Sequence, residues 1–224
     1  MQEAEADPRE RTREIAAEFI ERGDPVGWFE ALYRESAGDN EKLPWGDLEP
    51  NRFLRDYAEK SGLKGNGRSA LVVGCGLGDD AGFLEDLGFM VTAFDISPTA
   101  IEWSRRLHRD SPIRFVVADL FSPPKEWYQA FEFVLEVFTI QPLPMEMRTS
   151  VIDAIANFVK LHGTLLAVTR GREDDEVPEQ LPWPLSRRDL SRFEANSFVQ
   201  THFEIMTGDE EPPEPRFVVE YKKV

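Results

Sequence analysis

Three glycines punctuate the segment Leu71-Val72-Val73-Gly74-Cys75-Gly76-Leu77-Gly78-Asp79-Asp80, between an apolar run and a polar one. A buried strand that enters a glycine turn and then a helix lets a ligand approach the backbone closely, because glycine tolerates positive φ. Many nucleotide-binding sheets share that feature. More telling is the residue found where a dinucleotide site has its third glycine: Asp79, followed by Asp80. Two carboxylates at a helix N-terminus repel a pyrophosphate, which needs that positive end. They suit a ligand with cationic groups and no phosphate, and they serve equally well as plain helix caps.

Three further carboxylates follow at the ends of apolar runs. Asp95 closes Val91-Thr92-Ala93-Phe94 and precedes Ile96-Ser97, where an acid can accept hydrogen bonds from both ribose hydroxyls. Asp119, after Phe115-Val116-Val117-Ala118, can accept from an adenine amino group while Leu120 flanks the ring. Glu136 lies inside the apolar run Phe131–Phe138. An unpaired buried carboxylate is expensive, so Glu136 is expected to face a cleft or an amide partner. From a cleft it could hold a cationic group or take a proton from a nucleophile. Arg170 and Arg172, just past a fifth apolar run, could hold an anionic substrate, although a solvated loop accounts for them as well. Cys75, in the glycine turn, reads as a packing residue and not a nucleophile. His108, His162 and His202 read as structural, and no Cys/His cluster has metal-ligand spacing.

The elements that must position these groups can be read from periodicity. Strands are predicted over 70–74, 90–95, 113–118, 131–138 and 164–169, with helices over 79–87, 98–109 and 145–160 between them. Strand–helix alternation of this kind implies βαβ units and a parallel sheet whose carboxyl edge is the binding edge. A short helical turn is expected within 121–130 and a helix over 186–195. Two closing strands, near 198–205 and 216–221, read as a β-hairpin joined by the acidic turn TGDEEPPEP. Ahead of the sheet, helices are expected from Pro8 to Arg22, from Pro25 with Asp24 as its cap, and from Pro50 to Ser61 with Gly62 ending it. The expectation is one doubly wound α/β unit with a mostly parallel seven-stranded sheet. Residues 1–62 would form a helical lid and 63–224 the binding domain.

Taken together, these segments resemble the motifs of class I S-adenosylmethionine-dependent methyltransferases over about residues 70–224. Within that class the chain looks most like the thiopurine, thiol and halide methyltransferase group. The resemblance rests on the loop Gly74-Cys75-Gly76-x-Gly78-x-Asp80, on Phe94-Asp95-Ile96-Ser97, and on Leu43-Pro44-Trp45-Gly46-Asp47-Leu48-Glu49-Pro50-Asn51 in the lid. It implies S-adenosylmethionine as cofactor, with Trp45 stacking near it. Gly74, Cys75, Gly76, Gly78, Asp80, Asp95 and Ile96 would line its turn and ribose, Asp119 and Leu120 its adenine, and Glu136 and Val137 its sulfonium end. Trp28, Tyr33, Phe138 and Arg170 are the candidate acceptor residues, and Glu136 the candidate base. Two departures bear on the substrate. The lid reads W-G-D-L-E-P-N where the group has W-D-x-G-x-P, and the fourth strand reads L-E-V-F-T where the group often has an Asp and an aromatic.

Composition narrows the field of partners. With 26 Lys and Arg against 42 Asp and Glu, the net charge is −16, which disfavours a polyanionic substrate. The expected partner is a small molecule, with no nucleic acid and no membrane, for a monomer or weak homodimer. One cysteine and an acidic N-terminus fit a cytoplasmic protein. Two other readings stay open at this point: a protein that binds the cofactor without turning it over, and a nicotinamide-dependent oxidoreductase, which Asp79 argues against.

Overall fold

The computed structural model describes residues 7–208, 210 and 212–224. Its centre is a seven-stranded sheet ordered β3-β2-β1-β4-β5-β7-β6. The strands are β1 (Ser69–Val73), β2 (Met90–Asp95), β3 (Arg114–Val117), β4 (Phe131–Val137), β5 (Val159–Arg170), β6 (Phe198–Thr207) and β7 (Pro215–Lys223). Strands β1 to β5 pair in parallel, while β7 is antiparallel to both β5 and β6. The order of strands reverses between β1 and β4, which opens a crevice at their carboxyl ends.

β1 shows why the sheet is covered on both faces. Leu71 and Val73 enter one core, with Phe94, Val134, Ile152, Leu165 and Phe193. Ala70 and Val72 enter the other, with Ala93, Phe133, Leu135, Leu84 and Ile101. Apolar residues at successive positions therefore have a buried destination either way, as a parallel central strand requires. The covering helices are α4 (Asp79–Asp86) and α5 (Pro98–Leu107) on the second face, and α6 (Arg148–Ala156) and α7 (Arg187–Leu190) on the first. Ser97 caps α5, its Oγ accepting from Ala100 N at 3.0 Å, with Pro98 in the first helical turn.

The N-terminal helices divide between two roles. α3 (Arg52–Ser61) contributes Phe53, Leu54 and Tyr57 to the second core, so it belongs with the sheet. α1 (Pro8–Glu21) and α2 (Gly27–Ser36) form a third cluster through Ile15, Trp28, Leu32 and Tyr33, which seats on Leu77, Ala100 and Trp103. α3 thus packs with the sheet, and α1 and α2 with each other. α2 begins at Gly27, because Asp24 Oδ1 accepts from Gly27 N at 2.9 Å and keeps Pro25 and Val26 in a turn.

The stretch 145–160 is also more divided than a single helix. A 3₁₀ turn over Met145–Met147 leads into α6, and β5 has already begun at Val159, opposite Phe131. A register shift between Phe131 and Phe133, beside Gly163, lets β5 carry that extra length. No helix among the described residues is long and apolar enough to cross a membrane.

Phe133 is fully buried on β4, its ring 5.0 Å from that of Phe89. Phe133→Ala removes a ring that the surrounding sheet cannot collapse to replace. It should lower unfolding free energy by about 3–5 kcal/mol in urea titration.

Candidate active site

A cavity of about 930 Å³ opens over the carboxyl ends of the strands, roofed by α1, α2 and the segment around Trp45. Its floor is the glycine turn, with φ of +59° at Gly74 and +53° at Gly76. A Cβ on Gly74 would stand 2.6 Å from the Thr139 methyl, and one on Gly76 would stand 3.0 Å from the Tyr33 hydroxyl. Side chains here would fill the cradle, so glycine is required by space as well as by φ. Gly78, at φ +92°, has a different task. A Cβ there would strike the Phe115 ring at 2.8 Å, and the residue does not line the cavity. The space it leaves lets α4 approach β3, and the structure does not bring it to the cavity expected of it.

Asp95 sits at the end of β2, with Oδ2 accepting from Gly76 N at 3.0 Å and Oδ1 from Ser97 N at 2.9 Å. Burial raises its pKa against those bonds. Each oxygen keeps a further lone pair for a ligand hydroxyl. Asp119 is exposed at the rim, Oδ1 accepting from Phe121 N at 2.8 Å, beside Leu120 and Ile96. Asp80 lines the cavity, but its Oδ1 accepts from Asn51 N at 2.7 Å, tying α4 to the cap of α3. Burial pushes Asp80 up to about 6. Cys75 lines the floor, and burial with Asp95 nearby lifts its thiol pKa well above the usual range, which agrees with a packing role.

The roof is held by aromatic and polar contacts. Trp45 Nε1 donates to the Tyr33 hydroxyl at 2.7 Å, and Trp28 meets Trp45 edge-on with ring centroids 6.4 Å apart. Trp28 itself is fully buried, backing the roof. Glu30, missed from sequence, latches α2 to α5: it accepts from Ser97 Oγ at 2.6 Å, Thr99 N at 3.1 Å and Thr99 Oγ1 at 2.8 Å. Although burial opposes it, those bonds hold the Glu30 carboxyl below its ordinary pKa.

Glu136 is the second such residue. Its side chain is fully buried and does not line the cavity. Oε1 accepts from Thr139 N at 2.7 Å and Ile140 N at 3.0 Å, while Oε2 has no partner among the described residues. Strand β4 alternates its side chains, so Val137 reaches the cavity and Glu136 cannot. It braces the turn 137–140, in which Phe138 takes a φ of +56°, and this arrangement does not bring it to the cavity as the expected base or cofactor contact.

That turn delivers Phe138, Thr139 and Gln141 to the cavity, Thr139 against Gly74, and Arg170 and Arg216 line the cavity as well. Gln141 Oε1 accepts from Arg170 N at 2.7 Å. Thr139, Gln141 and Arg216 were not anticipated. An arginine opening the last strand after an acidic, proline-rich turn was the available signal for Arg216. Arg172 lies outside the cavity, bridging to Asp189 at 2.9 Å. His108 stands behind the glycine turn, Nε2 at 3.2 Å from Leu77 O. Among the described residues there is no cluster of His, Cys, Asp and Glu able to hold a metal ion.

Residues 70–163 match a family model described as a methyltransferase domain. No curated protein matches the chain. Among solved structures, the chain is similar to the protein reported for conversion of a disulfide bond into a thioacetal group during echinomycin biosynthesis. That match has TM-score 0.69 and 23% identity, and covers 88% of this chain and 92% of that one. The N-methyltransferase NodS from Bradyrhizobium japonicum WM9, solved with S-adenosyl-L-homocysteine, aligns with TM-score 0.65 at 18% identity, covering 86% and 96%. A structure described as S-adenosylmethionine-dependent methyltransferases from Methanosarcina mazei aligns with TM-score 0.63 at 18% identity, covering 79% and 99%.

The buried Glu136 carboxyl yields a pH dependence. Burial raises its pKa to about 7, against its two backbone donors. Ionisation is therefore harder folded than unfolded, so the folded state holds more protons between about pH 4.5 and 7. Stability should fall as pH rises through that window and level off above it, with Asp80 adding the same sign toward pH 6. Glu136→Gln should flatten the upper part of that fall in denaturation midpoints taken from pH 5 to 8; an unaltered slope would show that Glu136 is not its source. Residues 70–163 are thus similar to a methyltransferase domain, on a fold that the chain shares with those solved structures.

Proposed function

We propose that the protein transfers a methyl group from S-adenosylmethionine to a small-molecule acceptor. One observation carries the reading: the glycine cradle, Asp95 and Asp119 stand at successive strand ends along one edge, under a single roof. Gly74 and Gly76 leave room for the amino-acid portion, Asp95 accepts from the ribose, and Asp119 with Leu120 and Phe121 frames the adenine. Asp47, Asp79 and Asp80 make that half of the cavity acidic, which suits a ligand bearing a sulfonium and an ammonium. Bound there, S-adenosylmethionine supplies an activated methyl group whose in-line transfer leaves a thioether.

The chain's own contribution is alignment and exclusion of water. Orienting two reactants in one site lowers a barrier by as much as roughly 7–11 kcal/mol. Trp45, Tyr33 and the Glu30 latch close the roof from the cofactor side. Among the described residues no histidine lines the cavity, and Asp80 Oδ1 and both Asp95 oxygens already accept from backbone amides. An acceptor that ionises readily, such as a thiol with pKa ~8.5, fits a site without a dedicated base. The lid motif around Trp45 and the Phe94–Ser97 segment favour the same choice through their likeness to the thiopurine, thiol and halide group. The roofed cavity and the acidic composition support a small molecule as partner, and we take the protein to be a monomer or weak homodimer.

Calorimetric titration should show binding of S-adenosylmethionine and S-adenosylhomocysteine and none of NAD. Asp95→Asn, which keeps one backbone acceptor, should weaken both by tenfold or more, about 1.4 kcal/mol. Binding of NAD instead would sink the reading. Removing residues 1–49, which spares the Asn51 cap of α3, should leave a cooperatively folding sheet domain without turnover. Retained kinetics in that truncation would mean the roof has no part in the reaction.

A further inference from the structure

The cavity is electrically two-ended. Against its acidic half, the ends of β5 and β7 present Arg170 and Arg216, which are register partners on adjacent antiparallel strands. Like charges placed directly opposite cost stability unless an anion lies between them. Here the anions come from the chain itself. Glu210 and Glu214, in the turn between β6 and β7, pair with Arg216 and Arg170, and both carboxylates border the cavity. Arg216 is 5% exposed, and its Nε has no acceptor among the described residues. Its guanidinium lies 5.8 Å from the Phe138 ring centroid and 5.9 Å from that of Phe53. The site is therefore a fork for a carboxylate, flanked by two aromatic faces, with donor capacity left over.

Its place in the sheet says which reactant it serves. Asp95 and Asp119, at the ends of β2 and β3, take the adenosine, and the glycine turn follows β1. A cofactor held so would leave the ends of β4, β5 and β7 for the acceptor, where Phe138, Gln141, Arg170 and Arg216 stand. Resting on the cofactor reading above, we propose that Arg170 and Arg216 form the acceptor's anion subsite. It takes a small acceptor with a carboxylate beside a ring-sized apolar body, and Glu210 occupies the subsite as an internal stand-in. Both carboxylates pair with both arginines, Glu214 most closely with Arg170 and Glu210 with Arg216, so Glu210 is the carboxylate that the incoming one replaces on Arg216. Burial and the adjacent Arg216 both hold the Arg170 guanidinium below its usual pKa, a repulsion that a second anion relieves.

The test uses the full chain saturated with S-adenosylhomocysteine and the probes benzoate and benzamide, which share shape and differ in charge. Calorimetry should show benzoate binding at least tenfold tighter than benzamide. Arg170→Gln and Arg216→Gln should each remove that preference, and Glu210→Gln should strengthen benzoate binding by removing the competitor. Should buried Arg216→Gln fail to fold, the more exposed Arg170→Gln and Glu210→Gln carry the test. Equal binding of the two probes, benzoate binding indifferent to the arginine variants, or weaker benzoate binding in Glu210→Gln would each overturn the assignment. So would a tenfold loss of S-adenosylhomocysteine affinity in the arginine variants with 5′-methylthioadenosine binding preserved, because the pair would then serve the cofactor's own carboxylate. Failure of the wild-type protein to bind S-adenosylhomocysteine would refute the cofactor reading instead, and benzoate and benzamide compared on the unloaded protein would still decide the anion subsite.

Discussion

The binding edge is organised around one carboxylate. Asp95 accepts a backbone hydrogen bond from Gly76 on one oxygen and from Ser97 on the other, so a single buried group joins the glycine turn to the start of α5. Each partner then fixes something else. Gly76 sets the floor under Tyr33, and Ser97 both caps α5 and receives Glu30 from the roof. Burying a charge is costly, and Asp95 tolerates it because two backbone donors face it. Its environment is thereby rigid before any ligand arrives, which is what a group meant to orient a ribose needs.

The roof depends on the same region without sharing its core. α1 and α2 make their own apolar cluster and rest on Leu77, Ala100 and Trp103, close to the glycine turn and α5. Its polar ties to the site are few and specific: Trp45 to Tyr33 within it, Glu30 to Ser97 and Thr99 beneath it. A module held by apolar packing and a few side-chain bonds, among them Glu30 to Ser97 and Thr99 and Arg13 to Leu181 O, can open with the sheet intact, since no strand bond need break. α3, by contrast, is committed to the sheet core through Phe53, Leu54 and Tyr57.

Much of this was legible in the sequence, for identifiable reasons. Continuous apolar runs such as Leu71–Val73 announce central parallel strands, and glycines with acids at their ends announce the binding edge. Asp95 and Asp119 were readable because each closes a run at the same edge. Glu136 was misread because an acid in an apolar strand has two destinations, and only strand alternation in space decides between cavity and interior. The boundary of α2 depended on an Asp24 turn, and the early start of β5 on a register shift opposite Phe131; both are tertiary choices that propensity does not record. Arg216 gains its meaning only from lying opposite Arg170, a pairing between residues 46 positions apart that no local pattern carries.

The insertion of β7 between β5 and β6 gives the molecule a division of labour. Apart from the roof, the residues proposed to frame the adenosine come from consecutive βαβ units between residues 69 and 121, assembled from local neighbours. The Arg216 wall opposite comes from a hairpin that arrives last and wedges itself into the sheet. Selection can therefore rewrite the turn between β6 and β7 without touching the nucleoside side. On the proposed assignment, substrate preference and cofactor use would be separately heritable traits of one small chain.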